Sequence, residues 1–119
     1  MVAKVLVVDD AAFMRTRLSN LLRQAGHEVL EANNGFQALE VYEDQKPDLV
    51  FMDITMPEMD GIEALKRLRA LDPEARVVMC TALGQQSMVI EAVKSGAKDF
   101  IVKPFQPERV LQAVEKWAP

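Results

Sequence analysis

Five times along the chain a short β-branched or apolar run gives way to a stretch whose apolar residues recur at helical spacing, and this alternation limits the possible folds most. Parallel strands need a crossover long enough to hold a helix, so the pattern predicts an α/β domain built on a parallel sheet with right-handed connections. The strand-like runs are Lys4–Val8, Glu28–Ala32, Leu49–Met52, Arg76–Cys80 and Lys98–Val102. The helical stretches are Ala11–Ala25, Phe36–Asp44, Gly61–Ala70, Gln86–Ser95 and Pro107–Trp117. Their inward stripes read Met14, Leu18, Leu21, Leu22 and Ala25; Ala38, Leu39 and Tyr42; Ile62, Leu65 and Leu68; Met88, Val89, Ala92 and Val93; and Val110, Leu111, Val114 and Trp117. Punctuation agrees with this division. Gly26 and Gly96 stop helices, Asn33-Asn34-Gly35 offers turn residues that tolerate positive φ, Asp60 can cap the third helix, and Pro107 suits a first helical turn.

With 119 residues the chain fits one domain spanning 1–119, able to bury roughly two-thirds of the surface exposed by the unfolded chain. A net charge of −4 lacks the basic footprint of a nucleic-acid binder. Cys80 stands alone, which excludes an intramolecular disulfide and a Cys/His zinc cluster and points to a reducing cytoplasm. No apolar run reaches the roughly 18 residues of a membrane span, so a soluble cytoplasmic protein is expected.

The third run, Leu49 to Met52, is apolar without interruption, as a strand covered on both faces must be, and it delivers Asp53 to its carboxyl end. The other strands deliver polar groups to the same rim: Asp9 and Asp10 after the first, Thr81 after the fourth, Lys103 after the fifth. In open parallel sheets that rim is where ligands bind. Three carboxylates gathered there repel one another and call for a cation or raised pKa values. Mg²⁺ suits such oxygen ligands, here two or three carboxylates plus a main-chain carbonyl, that of Thr55. An ionised carboxylate needs no general base, so Asp53 can attack phosphorus while Lys103 and the Thr81 hydroxyl stabilise phosphoryl oxygens. Pro104 restricts the backbone of Lys103 and can hold the preceding bond cis. His27, between the first helix and the second strand, lies away from the rim.

Val7-Val8-Asp9-Asp10, Met52 through Pro57 with Met59-Asp60-Gly61, Thr81-Ala82, and Phe100 through Lys103-Pro104-Phe105 resemble the receiver domain of bacterial two-component response regulators. The resemblance covers essentially the whole chain. It implies a flavodoxin-like (βα)5 three-layer sandwich with sheet order 2-1-3-4-5, and phosphorylation of Asp53 by a phosphohistidine on a sensor histidine kinase. It also implies Mg²⁺ held by Asp10, Asp53 and the Thr55 carbonyl, with Asp9 assisting through water. In the family's switch a residue at the place of Thr81 moves toward the phosphoryl group and an aromatic at the place of Phe100 rotates inward. That remodels the face of the fourth helix, fifth strand and fifth helix, where Gln86, Val89, Phe100 and Val102 would meet a partner. Phe100 has no phenol hydroxyl, so its burial, not its hydrogen bonding, would change. Thr55 and Leu83 occupy the positions that tune phosphate lifetime.

Ala11 through Arg15 and Cys80 through Val89 look most like the stand-alone chemotaxis regulators, which carry a signal from a receptor-coupled kinase to the flagellar motor switch. The implied partners are that kinase, the switch protein and a phosphatase, met by a monomer. Such a protein is not an enzyme in the ordinary sense; it assists only its own phosphorylation and dephosphorylation. A phosphorelay carrier that hands its phosphoryl group to a histidine phosphotransfer protein is the nearer rival. A haloacid dehalogenase-type phosphohydrolase is the remoter one, disfavoured because its acids are spaced Asp-x-Asp and here they are adjacent.

Overall fold

Strands that alternate between two buried faces, flanked by helices with one apolar stripe each, can only stack as three layers. A computed structural model describes residues 2–82 and 84–119 and shows this arrangement. The elements run β1 (Lys4–Val8), α1 (Ala12–Gln24), β2 (Glu28–Ala32), α2 (Gly35–Gln45), β3 (Leu49–Asp53), α3 (Gly61–Leu71), β4 (Val77–Thr81), α4 (Gln86–Lys94), β5 (Asp99–Val102) and α5 (Pro107–Trp117). All pairings are parallel, in the order β2-β1-β3-β4-β5, as the alternation and the resemblance implied. No helix among the described residues is long and apolar enough to cross a membrane.

Two cores lie on opposite sides of the sheet, and period-two alternation assigns the strand residues to them. Leu6, Val8, Val50, Met52, Val77 and Met79 pack with Ala38 and Tyr42 of α2, Ile62, Leu65 and Leu68 of α3, and Ala92 of α4. Val5, Val7, Leu49, Phe51, Val78 and Cys80 face the other way, onto Leu18 and Leu22 of α1 and Val110, Ala113 and Val114 of α5. Every residue of β3 and β4 is buried, while β2 and β5 are edges with exposed positions. The chain leaves β1 toward β2 on one side and returns to β3 on the other. That reversal opens a crevice at the carboxyl ends of β1 and β3.

Several local expectations are corrected. Ala113 takes the core position expected of Leu111, which is only half-buried. Val93 is exposed because α4 touches the core through Ala92 alone, with Met88 and Val89 packed at its margin. The Asn33-Asn34-Gly35 turn uses no positive φ; Asn34 is extended at φ −159° and its side chain caps α2 by accepting from the Gln37 amide at 2.8 Å. Thr81 is the last residue of β4, not the residue after it. Leu83 lies outside the described residues.

Gly61 opens α3 behind the capping carboxylate of Asp60, and its amide donates to the Ile54 carbonyl at 2.6 Å. A Cβ there would overlap the main-chain carbonyl oxygen of Asp53 and stand 2.8 Å from Ile54 Cα. Backbone cannot swing aside as a side chain can. Gly61→Ala is therefore expected to cost about 3 kcal/mol of stability, read from the midpoint of urea unfolding at unchanged slope; a loss below about 0.5 kcal/mol would show that the β3–α3 loop yields freely.

Candidate functional site

Each group at the rim arrives there because a strand ends beneath it. Asp9 follows β1 and is held by its own backbone: its amide donates to the Ala32 carbonyl at 3.2 Å, and its Oδ1 accepts from the Ala11 amide at 2.9 Å. Asp53 ends β3 in register with Cys80 of β4. Lys103 follows β5, where its amide donates to the Thr81 carbonyl at 2.8 Å and the Lys103–Pro104 bond is cis. Its ammonium then reaches across the sheet, donating to Asp9 Oδ2 at 2.9 Å and to Asp53 Oδ1 at 3.0 Å. The lysine thus clamps two of the acids.

Asp10 is the exposed member of the acid group, and one carboxylate oxygen from each of Asp9, Asp10 and Asp53 lies within 4.8 Å of the others. Three negative charges face one ammonium. Asp53 is only 8% exposed, and burial pushes its carboxyl up to about 6. The Lys103 ammonium pulls the other way, and Asp9 and Asp10 add to the rise. Lys103 is held above its ordinary value by its bonds to both acids, against the opposing effect of its own burial. The donor set is all oxygen and its charge is unbalanced by two, which is the chemistry a hard divalent cation satisfies. Beneath the site the Cys80 thiol is fully buried, and burial pushes it far above the ordinary thiol range.

The hydroxyl of Thr81 bonds within its own loop and to none of the acids. It donates to Gln85 Oε1 at 2.8 Å and lies 3.1 Å from the Ala82 carbonyl. Thr55, on the β3–α3 loop, accepts at Oγ1 from Gln85 Nε2 at 2.7 Å. Phe100 points outward from β5, 40% exposed. With Gln86, Val89, Ile90, Val93 and Val102 it lines a groove of about 680 Å³ between α4 and β5. The four residues expected at a partner face therefore do share one surface, joined by Ile90 and Val93 that were not foreseen.

His27 is confirmed as remote: its Nδ1 accepts from the Ala3 amide at 3.1 Å, at the opposite end of the sheet. Two residues escaped the sequence reading. Arg15 on α1 donates from Nη1 to the Asp9 carbonyl at 2.6 Å and pairs with Glu31, bracing the acid-bearing turn. Gln85, in the loop before α4, bears on the site too, and nothing in its spacing marks it, because a long amide in a loop obeys no period.

The family model described as response regulator receiver domain matches residues 5–115. A chemotaxis protein CheY from Thermotoga maritima is 60% identical over 114 residues, covering 95% of each chain. Its counterpart from Bacillus subtilis is 60% identical over 117 residues, 98% of each. A sporulation initiation phosphotransferase F from Bacillus subtilis is 39% identical across 98% of this chain and 94% of its own. Among solved structures, Vibrio cholerae chemotaxis protein CheY4 superposes with a TM-score of 0.92 at 33% identity, covering 98% of this chain and 99% of that one. NtrX from Brucella abortus gives 0.94 at 35% identity over 98% of this chain, which spans only 27% of the NtrX length.

Proposed function

We propose, from the premise that this chain belongs to the response regulator receiver domain family, that it is a phosphorylation-activated chemotaxis regulator whose acceptor is Asp53. The observation that carries this is a buried carboxylate bonded to a single lysine within a group of three acids, at the switch point of a 2-1-3-4-5 sheet. A carboxylate oxygen of Asp53 attacks phosphorus of a phosphohistidine on a sensor kinase. The new O–P bond forms as the P–N bond breaks, and the electron pair leaves with the imidazole nitrogen, which takes a proton from solvent. Lys103 would move its hydrogen bonds from Asp9 and Asp53 to phosphoryl oxygens, and Thr81 would supply a further donor.

Asp10, Asp53 and the Thr55 main-chain carbonyl would hold Mg²⁺, with Asp9 acting through a water, and the ion would neutralise phosphoryl charge. Catalysis by the chain is confined to its own phosphorylation and dephosphorylation, with Thr55 and Leu83 at the positions that tune the latter. The partner surface is the α4–β5–α5 face, including Gln86, Val89, Phe100 and Val102. Phosphorylation would draw Thr81 inward and let Phe100 follow, so that the groove meets its partner in a changed shape. The partners are a chemotaxis-type sensor kinase, the flagellar motor switch protein and a phosphatase, in the cytoplasm, with the chain acting as a monomer. The phosphorelay reading has one observation in its favour, the phosphotransferase relative, yet that likeness is 39% against 60% for the chemotaxis proteins.

Incubation with Mg²⁺ and acetyl phosphate followed by intact mass measurement is expected to show one phosphoryl group per chain, and none when the metal is chelated. Turnover of many phosphomonoesters would instead mark a hydrolase. Transfer of the group to a histidine phosphotransfer protein, in place of tighter binding to a switch-protein peptide, would mark a relay carrier.

A further inference from the structure

Gln85 bridges the two loops that flank the acceptor, and its amide has only one orientation that satisfies its neighbours. The Ala82 amide can only donate, so the oxygen faces it at 2.8 Å, and the nitrogen is left to face Thr55 Oγ1 at 2.7 Å. The Thr81 hydroxyl must then donate to that same Oε1, at 2.8 Å. A threonine has one hydroxyl proton. While it is given to Gln85 it cannot be given to a phosphoryl oxygen on Asp53.

We propose that Gln85 is a positioning residue, a latch that holds the Thr81 hydroxyl in the unphosphorylated setting and ties it through Thr55 to the loop after Asp53. This rests on the receiver reading above, and goes further by naming the group against which the phosphoryl oxygen competes. Three features support it. The amide is anchored at both ends, by the Ala82 amide and by Thr55, so it does not follow Thr81 when the hydroxyl turns. Its side chain caps none of the amides of α4, although it occupies the N-cap position; its one reach to the helix is a long contact of Nε2 with Met88 Sδ at 3.9 Å, and its shorter bonds all go to the rim. The alternative acceptor for Thr81 is the Ala82 carbonyl at 3.1 Å, so both of its hydrogen-bond partners belong to its own loop and neither is an acid of the rim. Release of the switch therefore requires exchange of one hydrogen bond for another, and the strength of the first sets the resting population.

The test is binding of beryllofluoride, a phosphoryl mimic, in the presence of Mg²⁺, followed by calorimetry and by the NMR position of the Thr81 γ-methyl group. Gln85→Ala and the bulk-retaining Gln85→Leu are both expected to bind about fivefold more tightly than the parent, the value of one net hydrogen bond. Before any beryllofluoride is added, their Thr81 methyl signal is expected to lie displaced toward the position it reaches in the saturated parent. In a Thr81→Ala background the gain from Gln85→Ala should vanish, which a merely structural role would not predict. Unchanged or weaker binding by both variants, or an equal gain without Thr81, overturns the latch. A parent that binds no beryllofluoride overturns the receiver reading itself, and the latch with it.

Discussion

Asp53→Asn is expected to melt higher than the parent at pH 7.5 in the absence of metal, while taking up no phosphoryl group. The stabilisation follows from the burial of Asp53, which pushes its carboxyl up to about 6 in place of 3.8. A folded pKa raised above the unfolded value means that the native state binds a proton between those values which the unfolded chain has lost. Stability therefore falls as pH rises from about 4 to 6, and the full penalty is present above 6. That difference corresponds to about 3 kcal/mol. Some of it survives in the variant, because Asn no longer draws the Lys103 ammonium as a carboxylate does, so a gain of about 2 kcal/mol, or roughly 8 °C, is expected. The gain should shrink toward zero as the pH is lowered to 4, and saturating Mg²⁺ should raise the parent more than the variant. Thermal unfolding at a series of pH values measures both trends. Chemistry is lost for a separate reason: an amide oxygen shares its electrons with nitrogen and is a poor nucleophile toward phosphorus. A variant that melts lower at pH 7.5 would show that the carboxylate is worth more to the fold than its repulsion costs.

Lys103→Met is expected to produce the opposite stability change at the same rim. Its ammonium bonds Asp9 and Asp53, both buried, and its own side chain is 19% exposed. Removing one partner of a buried pair leaves charge without compensation; with some solvent still reaching the lysine, the loss at pH 7.5 should be about 2–3 kcal/mol. Acidification to pH 5 protonates Asp53 and should recover part of it. Phosphoryl uptake from acetyl phosphate should slow on the order of 100-fold, the worth of one charge-assisted contact to the transferring group. Denaturant titrations at the two pH values and the time course of mass increase report on these separately. If the variant matches the parent in stability, the acids are already neutralised by some other means. With Lys103→Met destabilising as expected, the double variant with Asp53→Asn should be far from additive, since the two residues touch.

What the sequence allowed to be read depended on how many faces of an element are covered. Strands β3 and β4 announce themselves because burial on both sides leaves no polar residue between Leu49 and Met52 or between Val77 and Cys80. Their ends fix where Asp53 and Thr81 stand, so the membership of the site was legible. Helix α4 was less so. Its apolar residues Ile90 and Val93 fit a core stripe and an exposed groove equally well, and only the position of β5 decides between them. Leu111 and Ala113 exchange roles because the inward face of α5 runs through Val110, Ala113 and Val114 and leaves Leu111 at its margin. The bonding pattern within the site was not legible at all. Whether Lys103 reaches one acid or two depends on sheet twist, and the bridge from Thr81 through Gln85 to Thr55 joins loops that are 30 residues apart.

The fully buried β3 has a further consequence for how a signal can leave. Asp53 stands at the tip of a strand wedged between two packed layers. If Asp53 is phosphorylated as proposed, a response would have to run sideways along the strand tips, from β3 past β4 to β5, and not through the packed thickness of the sheet. At the end of that route lies α4, whose one fully buried residue is Ala92, with Met88 and Val89 at the core margin and an open furrow beside it. Under that reading the rigid centre and the less deeply packed flank would be parts of one device: the first would keep the message from dissipating, and the second would be what it can move.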